Sequence, residues 1–274
     1  MLIKVLVENT AVSGEFGSEH GLSLYIETNG RKILFDTGRG ELFLANAKKL
    51  NVDISSVDYV VLSHAHRDHS GGLPAFLREN TAARIYLREG AAGKYYSRHP
   101  DGNLAQIGPD EAIVESGRLV FSGERHEIGP GLELFSGVRG REYFSQANNT
   151  LFMDKDGELA QDTFAHEQNL IVTEGGTVAL FAGCAHNGIV NILKRMAEFG
   201  YRAPDYVFGG FHLFNPSYKK SEDPLLVRGV GEYLAKTPSV YYTGHCTGQE
   251  AYELLQGMLG DRMRYMATGS VIRI

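Results

Sequence analysis

The stretch at residues 63–72, SHAHRDHSGG, limits the folds open to this chain more than any other. It directly follows a short apolar run at residues 57–62. Such a run, rich in β-branched residues and ended by polar and glycine residues, predicts a buried strand followed by a loop. The loop carries three histidines and an aspartate between His64 and His69. Metal ligands must be deprotonated and shielded from water, so this density of ligand types indicates a metal site.

The spacing within the loop predicts two metal positions. Side chains two residues apart point to the same side of an extended backbone, so His64 and His66 can bind one cation. Asp68 and His69 follow after a turn and are expected to face a second cation. Two cations about 3.5–4 Å apart can share one hydroxide, which Asp68 can also orient. The alternatives are a histidine-rich surface loop and a single structural zinc, but the preceding strand and the following glycine pair favour the dinuclear site.

Composition narrows the classes of partner. The chain has 274 residues, of which 43% are hydrophobic, enough for a large core. Lysine and arginine number 27 against 33 acidic residues, and the net charge of −6 argues against nucleic acid as a partner. Neither a signal peptide nor the ~18 apolar residues of a membrane span is evident. We expect a cytoplasmic protein that acts on a small molecule and has no membrane partner; a homo-oligomer is compatible with this sequence.

Histidines also follow three later strand-like runs, at His186, His212 and His245. Chance would scatter histidines among loops and helices, so this placement predicts one site at one edge of a sheet sandwich. We expect His186 and His245 to be metal ligands rather than core histidines. His212 is a candidate catalytic proton donor or substrate contact, with a structural role as the alternative. His20 is a further candidate of the same kind.

Two strand-like runs at residues 21–27 and 32–36 are joined through Asn29-Gly30 and predict a hairpin that ends at Asp36. A buried carboxylate is costly unless it is hydrogen-bonded. Asp36 is therefore predicted to orient a ligand histidine. The alternative is a cap for the helix predicted over residues 40–50.

The two cysteines, Cys184 and Cys246, each lie within two residues of a histidine. In a cytoplasmic chain such cysteines are more often reduced thiols than a disulfide. Cys184 is a candidate thiolate ligand, because zinc and iron both accept sulfur. The alternative is that Cys184 is a small buried core residue without a ligand role.

The segment at residues 84–161 differs from its surroundings, with short strand-like runs such as 118–121 between turns rich in glycine, proline and charge. No long linker interrupts the chain, so we predict a single domain over residues 1–274. Within it, 84–161 is predicted to be a variable, substrate-facing segment, because loops on a fixed scaffold carry specificity. Its exposed-looking residues, such as Tyr95 and His99, can equally be plain surface. The end of the chain, 264–274, is predicted to close the sheet.

Five short motifs together carry a resemblance to a known family. They are H-x-H-x-D-H at 64–69, GCAHNGI at 183–189, GGFHL at 209–213, GHCTG at 244–248 and EHGLS at 19–23. The chain resembles the metallo-β-lactamase superfamily, and within it the branch of metal-dependent hydrolases named after 7,8-dihydropterin-6-methyl-4-(β-D-ribofuranosyl)aminobenzene-5′-phosphate synthase. The resemblance implies an α/β fold, a four-layer αββα sandwich of two mixed sheets with helices outside.

The same resemblance implies how the ligands are divided. His245 matches the superfamily's last ligand histidine and would join Asp68 and His69 at metal two. The family's bridging aspartate ends its second hairpin, and Cys184 occupies that position here. The third imidazole of metal one is expected to be His186, with His166 as the alternative. The resemblance implies two divalent cations, with zinc expected first and iron or manganese as alternatives.

Three functions remain in view. The first is a dinuclear metal-dependent hydrolase that uses a metal-bound hydroxide on a small-molecule ester, lactone or phosphoester. The second is a dihydropterin-linked phosphoribosyl-aminobenzene synthase in pterin cofactor metabolism, with a phosphorylated or pterin-like substrate. The third, of another class, is a non-catalytic metal-dependent sensor or redox protein.

Overall fold

The computed structural model describes residues 1–109 and 117–274. The strands are β1 Leu2–Val7, β2 Ser23–Thr28, β3 Arg31–Phe35, β4 Tyr59–Val61, β5 Arg84–Arg88, β6 Tyr95–Arg98, β7 Leu104–Gln106, β8 Leu119–Ser122, β9 Arg125–Gly129, β10 Leu132–Phe135, β11 Leu151–Lys155, β12 Glu158–Gln161, β13 Asn169–Glu174, β14 Thr177–Phe181, β15 Tyr206–Phe208, β16 Phe214–Asn215, β17 Lys220–Ser221, β18 Val240–Thr243, β19 Met263–Tyr265 and β20 Val271–Arg273. The α-helices are α1 Leu42–Lys49, α2 Arg67–Ser70, α3 Leu73–Glu79, α4 Ile189–Glu198, α5 Pro224–Ala235 and α6 Gln249–Leu259.

Two seven-stranded sheets form the centre of the molecule. The first has the order β20-β1-β2-β3-β4-β5-β8, and the second has the order β19-β18-β15-β14-β13-β10-β9. Strands β1, β2 and β3 pair antiparallel, and β3, β4, β5 and β8 pair parallel. Strands β10, β13 and β14 likewise pair antiparallel, and β14, β15, β18 and β19 pair parallel. The two halves of the chain therefore repeat one strand pattern.

The inner faces of the two sheets bury one continuous apolar layer. Side chains of a strand alternate between its faces, so Ile33 and Phe35 of β3 point inward while Leu34 points outward. On the second sheet Phe181 occupies the inward position of β14, with its ring centroid 6.0 Å from that of Phe35 and 4.8 Å from that of Phe208. This layer joins the two sheets face to face.

Helices cover the outer faces of both sheets. Phe43 of α1 and Phe76 of α3 pack in one cluster with the outward residues of the first sheet. Ile192 of α4, Val230 of α5 and Leu255 of α6 pack in another with the outward residues of the second sheet. The order helix, sheet, sheet, helix is the predicted four-layer αββα sandwich.

The segment at 84–161 contributes to three sheets. Its strands β6, β7, β11 and β12 form a separate four-stranded sheet in the order β12-β11-β6-β7. Its strands β8, β9 and β10 instead belong to the two main sheets, and Leu132 and Leu134 of β10 are buried between them. That 84–161 faces a substrate stays a prediction, and β8, β9 and β10 show that part of this range belongs to the main sheets. Residues 110–116 of it lie outside the described residues.

The end of the chain serves both main sheets. We expected 264–274 to close a single sheet, but β19 forms the edge of the second sheet and β20 pairs with β1 at the edge of the first. A turn at residues 266–270 lets the chain change sheets. Within the part of the chain that the structure describes, no helix is long and apolar enough to span a membrane.

Replacing Phe181 by alanine tests the inner layer. The fully buried ring contacts aromatic side chains of both sheets. We expect Phe181→Ala to lower the free energy of unfolding by about 3–5 kcal/mol, measured by urea denaturation. The matched control is Phe121→Ala on β8, because Phe121 is 50% exposed and its loss should cost far less. Equal losses in the two variants would contradict this account of the core.

Candidate metal centre

The candidate ligands lie where strands of the two sheets end. Strands β14, β15 and β18 are parallel neighbours, so the residues that follow them, including His186, His212 and His245, meet at one edge of the second sheet. Strands β3 and β4 are parallel neighbours in the first sheet and lead to Asp36 and His64. The pattern of histidines after strands therefore places both sets of side chains at one end of the sandwich.

Several of these residues have unusual backbone angles. Asp36, Ala185, His212 and His245 have φ values of 58°, 53°, 48° and 49°. Residues other than glycine rarely adopt positive φ, and such strain is concentrated at functional sites. In each case the chain turns sharply at the end of a strand.

A first histidine group consists of His64, His66 and His186. The ligand atoms of His64 and His186 lie within 4.8 Å of one another and of the Cys184 thiol. His64 Nδ1 lies 2.8 Å from Ser63 Oγ, whose own proton goes to Asp36. The oxygen must therefore accept from His64 Nδ1–H, which leaves Nε2 with a lone pair. That Nε2 atom is buried and has no hydrogen-bond partner among the described residues.

His186 is fixed in the same way. Its Nδ1 lies 3.0 Å from Asn148 Oδ1, while the amide nitrogen of Asn148 donates to His186 O at 2.9 Å. The assigned amide orientation makes Nδ1 the donor and again leaves a buried Nε2 lone pair without a partner in the described chain. Two unpartnered buried nitrogens facing one space are costly unless a ligand occupies it.

His66 faces a buried carboxylate. Its Nε2 lies 3.7 Å from Asp162 Oδ2, too far for a hydrogen bond, and is buried without a hydrogen-bond partner in residues 1–109 and 117–274. The same carboxylate accepts from His166 Nε2 at 3.1 Å, and His166 Nδ1 accepts from Ala65 N at 3.1 Å. Both nitrogens of His166 are therefore engaged, whereas His186 Nε2 is not. The geometry favours His186 over His166 as the third imidazole.

A second group consists of Asp68, His69 and His245. Their ligand atoms and the Cys184 sulfur all lie within 4.8 Å of one another. His69 Nε2 lies 3.1 Å from both Cys184 Sγ and His245 Nε2, and Asp68 Oδ2 lies 3.2 Å from His245 Nε2. Cys184 thus lies close to both groups, and its role as a ligand stays a prediction.

Hydrogen bonds also fix the rings of the second group. His69 Nδ1 donates to Asp36 Oδ2 at 2.7 Å, and His245 Nδ1 donates to Asn9 Oδ1 at 2.9 Å. Each ring therefore presents an Nε2 lone pair to the centre, an arrangement typical of metal-binding histidines. Asp36 makes no cap for α1, whose N-terminus has no side-chain hydrogen bond.

Two further histidines adjoin the groups. Both ring nitrogens of His212 are buried without a hydrogen-bond partner in the described chain, and its ring centroid lies 4.1 Å from that of His186. His212 also forms a cluster of ligand types with Cys184 and Cys246. His20 is more exposed, and its Nε2 lies 3.3 Å from Asp68 Oδ2.

Burial keeps most of these imidazoles neutral. It lowers the pKa of His64 and His186 well below the ordinary value, and neighbouring histidines add to the effect. Burial likewise lowers the pKa of His212 to about 3 and that of His245 to about 4. Neutral imidazole is the form that binds a metal ion.

The remaining groups respond to their charged neighbours. Burial opposes ionisation of Asp68, but His69, and then His20 and His245, outweigh it and hold its pKa well below the usual value. Burial would lower the pKa of His69, but the carboxylates of Asp36 and Asp68 raise it overall. Burial raises the pKa of the Cys184 thiol, which a bound cation would reverse.

A cavity of about 460 Å³ lies against both groups. Main-sheet residues, the four-stranded sheet and the chain after β15 all contribute to its wall. Its lining consists of His20, Arg39, His66, Arg67, Asp68, Ser97, His99, Ala105, Gln106, Ile107, Ala147, Thr150, Leu151, Cys184, His186, His212, Asn215, Pro216, Ser217 and Cys246. Of the two residues singled out in 84–161, His99 lines the cavity, whereas Tyr95 is buried against His166 at a ring-centroid distance of 4.3 Å.

Sequence reasoning missed several residues that orient the candidate ligands. Asn9, Asn148 and Asp162 were not singled out, although each hydrogen-bonds or faces a histidine of the two groups. Glu8 is also buried and accepts from His245 N. The polar residues directly after β1 and β12 were the available signal for Glu8, Asn9 and Asp162, whereas nothing in the local sequence marked Asn148.

Comparison with known proteins agrees with this geometry. A family model described as the metallo-β-lactamase superfamily matches residues 17–187. The chain is 29% identical to 7,8-dihydropterin-6-methyl-4-(β-D-ribofuranosyl)-aminobenzene-5′-phosphate synthase of Methanocaldococcus jannaschii, over 99% of this chain and 96% of the relative. It is 31% identical to an uncharacterised protein of the same organism over the full length of both.

A solved structure also matches over nearly the whole length. It is Tm1679, described as a metal-dependent hydrolase of the β-lactamase superfamily, with a TM-score of 0.82 and 27% identity. The match covers 100% of this chain and 99% of that one. The similarity therefore includes the four-stranded sheet as well as the two main sheets.

Metal analysis of two histidine variants tests the ligand assignment. We expect His186→Ala to lose bound metal, because it removes one of the unpartnered ring nitrogens. His166→Ala should retain metal with affinity weakened about 10–100-fold, since His166 only supports its neighbours. Metal per chain is measured by elemental analysis after dialysis against graded chelator. The reverse order of losses would make His166 the ligand.

The low pKa of His212 predicts acid sensitivity of the chelator-treated protein. His212 is neutral in the fold down to about pH 3, whereas the unfolded chain takes up a proton near 6.5. Its stabilising contribution is therefore complete above about 6.5 and falls as the pH is lowered. Between pH 7 and 5, the wild type should lose about 2 kcal/mol more unfolding free energy than His212→Gln. Urea denaturation at the two pH values measures this, and parallel losses would contradict it.

Proposed function

Because the chain belongs to the metallo-β-lactamase superfamily, we propose that it is a metal-dependent hydrolase of a small-molecule ester, lactone or phosphoester. One observation carries the proposal. Buried histidine nitrogens at the ends of strands from both sheets have their lone pairs directed into a common space beside a cavity. A structural core would satisfy these atoms with hydrogen bonds.

The residues present fit two divalent cations. His64, His66 and His186 would hold one, and Asp68, His69 and His245 would hold the other. Cys184 lies between the groups and would serve as the shared ligand. Imidazole and thiolate ligands suit zinc and iron, whereas manganese prefers oxygen ligands, so zinc is the first expectation. Hydrogen bonds at Nδ1 hold four of these rings ready to bind, those of His64, His69, His186 and His245.

The chemistry is divided between the cations and this chain's own groups. Bound cations supply Lewis acidity and lower the pKa of water. Asp68 lies among His20, His69 and His245 and can accept a hydrogen bond from the attacking water. His212 lines the cavity with both nitrogens free of partners in the described chain, and it is placed to hydrogen-bond the reacting group of the substrate.

A second candidate is a synthase that joins or rearranges a pterin-linked compound. The observation that favours it is the full-length similarity to the Methanocaldococcus jannaschii synthase. The same two groups would hold the cations in this case, but the cavity would bind a flat heterocycle. Quenching of tyrosine fluorescence or a rise in melting temperature on adding a dihydropterin would support this candidate.

Metal content and turnover of one preparation separate the candidates. Protein purified without added metal or chelator should contain about two divalent ions per chain and turn over bis-(p-nitrophenyl) phosphate or a lactone. His66→Ala should lose metal and turnover together. The control is His126→Ala, because His126 packs on Tyr86 and does not line the cavity.

Three other results would change the conclusion. Turnover by His66→Ala without bound metal would rule out the mechanism. Two ions with no turnover on either substrate type would favour the synthase. Strong visible absorbance would indicate bound iron and would favour the redox-protein hypothesis.

A further inference from the structure

The cavity differs in charge from the molecule as a whole. The chain has a net charge of −6, but the described residues that line the cavity include two arginines and one carboxylate, that of Asp68. Asp68 already faces three histidines and is assigned above to a cation. Among the described lining residues, Arg39 and Arg67 therefore leave an excess of positive charge. Clefts with one sign of charge concentrate ligands of the opposite sign.

The backbones of Arg39 and Arg67 lie close together. A Cβ atom on Gly71 would lie 2.2 Å from Arg39 O and 2.6 Å from Arg67 O, so the two chain segments meet at this glycine. Arg67 N donates to Ile107 O at 2.7 Å, and Arg39 N donates to Glu19 Oε1 at 3.2 Å. Hydrogen bonds donated by their backbone N–H groups thus hold both residues in place, although their side chains are exposed.

Neither guanidinium is neutralised within the described chain. Arginines far from the cavity form ion pairs: Arg78 pairs with Glu41, and Arg202 pairs with Asp205. The side chains of Arg39 and Arg67 form no ion pair or hydrogen bond with residues 1–109 or 117–274. Each guanidinium has five N–H donors that match phosphate geometry.

We propose that Arg39 and Arg67 form the subsite for a phosphate group of the substrate, so that the enzyme acts on a phosphorylated small molecule. This inference rests on the proposed function for its location beside the metal groups. Two guanidinium groups balance the two charges of a phosphate monoester, whereas a carboxylate would leave one unmatched. The rest of the wall combines polar residues such as Gln106 with apolar residues such as Ile107 and Leu151, which suits a neutral portion of the substrate with both kinds of surface.

Binding of inorganic phosphate to chelator-treated protein tests the subsite apart from catalysis. Isothermal titration calorimetry is performed on the wild type, Arg39→Met, Arg67→Met and the double variant. We expect each single substitution to weaken phosphate binding about tenfold or more, and the double variant to show no measurable binding. Sulfate, also a dianion, should compete with phosphate, and acetate should compete poorly.

The matched control is Arg228→Met. Arg228 is an exposed arginine on α5 that does not line the cavity, so its replacement should leave phosphate binding unchanged. Circular dichroism and melting temperature should be the same for all variants, because the replaced side chains are exposed. An equal effect of Arg228→Met would show a general charge effect and overturn the subsite.

Two further outcomes are decisive. The subsite would be overturned if Arg39→Met and Arg67→Met both bound phosphate with wild-type affinity. It would also be overturned if phosphate binding required added metal and did not depend on either arginine. Failure of the hydrolase proposal has a different signature, namely arginine-dependent phosphate binding in a protein that turns over neither test substrate. The two failures are therefore distinguishable from one set of variants.

Discussion

The carboxylate of Asp36 is completely buried and accepts three hydrogen bonds, from Ser63 N, Ser63 Oγ and His69 Nδ1, each at 2.7 Å. Through the Ser63 hydroxyl it fixes the ring of His64 in the first group, and directly it fixes His69 in the second. A single carboxylate thus sets the tautomer of one histidine in each group. Without it, Nδ1 of both rings would compete with Nε2 for the proton, and the lone pairs would no longer point to the centre.

The repeated strand pattern explains why such a contact is available. In each half, an antiparallel hairpin is followed by parallel strands, and the carboxyl ends of the parallel strands lie at one edge of the sheet. Because the two sheets pack face to face, these edges lie side by side, and short loops from both halves reach the same space. The helices and the inner apolar layer hold the sheets at a fixed separation. The sheet packing alone therefore brings histidines from distant parts of the sequence close together.

The αββα architecture was expected from the family resemblance that five short motifs carry, and the main candidate ligands could be predicted because they leave local signals. His64 and His186 each follow a strand, and the period of the apolar residues marks those strands. The choice between His166 and His186 was not decidable from spacing, since it depends on what each ring touches across the site. Asp162 and Asn148 lie far along the chain from the rings they orient. Long-range contacts of this kind, like the exchange of sheets at the chain end, have no local pattern.

Glycines at the strand ends make the close approach of the ligand-bearing loops possible. A Cβ atom on Gly183 would lie 2.0 Å from Ser63 Oγ, the hydroxyl that joins Asp36 to His64. On Gly209, which has a φ of 143°, it would lie 2.0 Å from Ala182 O, and on Gly210 it would lie 2.4 Å from Cys246 Sγ. A side chain at Gly183 would push the loop after β14 away from Ser63 and His64 of the first sheet, and one at Gly209 or Gly210 would push apart neighbouring loops of the second sheet. The glycines that precede Cys184 and His212 are thus required by packing, and the candidate metal ligands can converge only because their neighbours have no side chains.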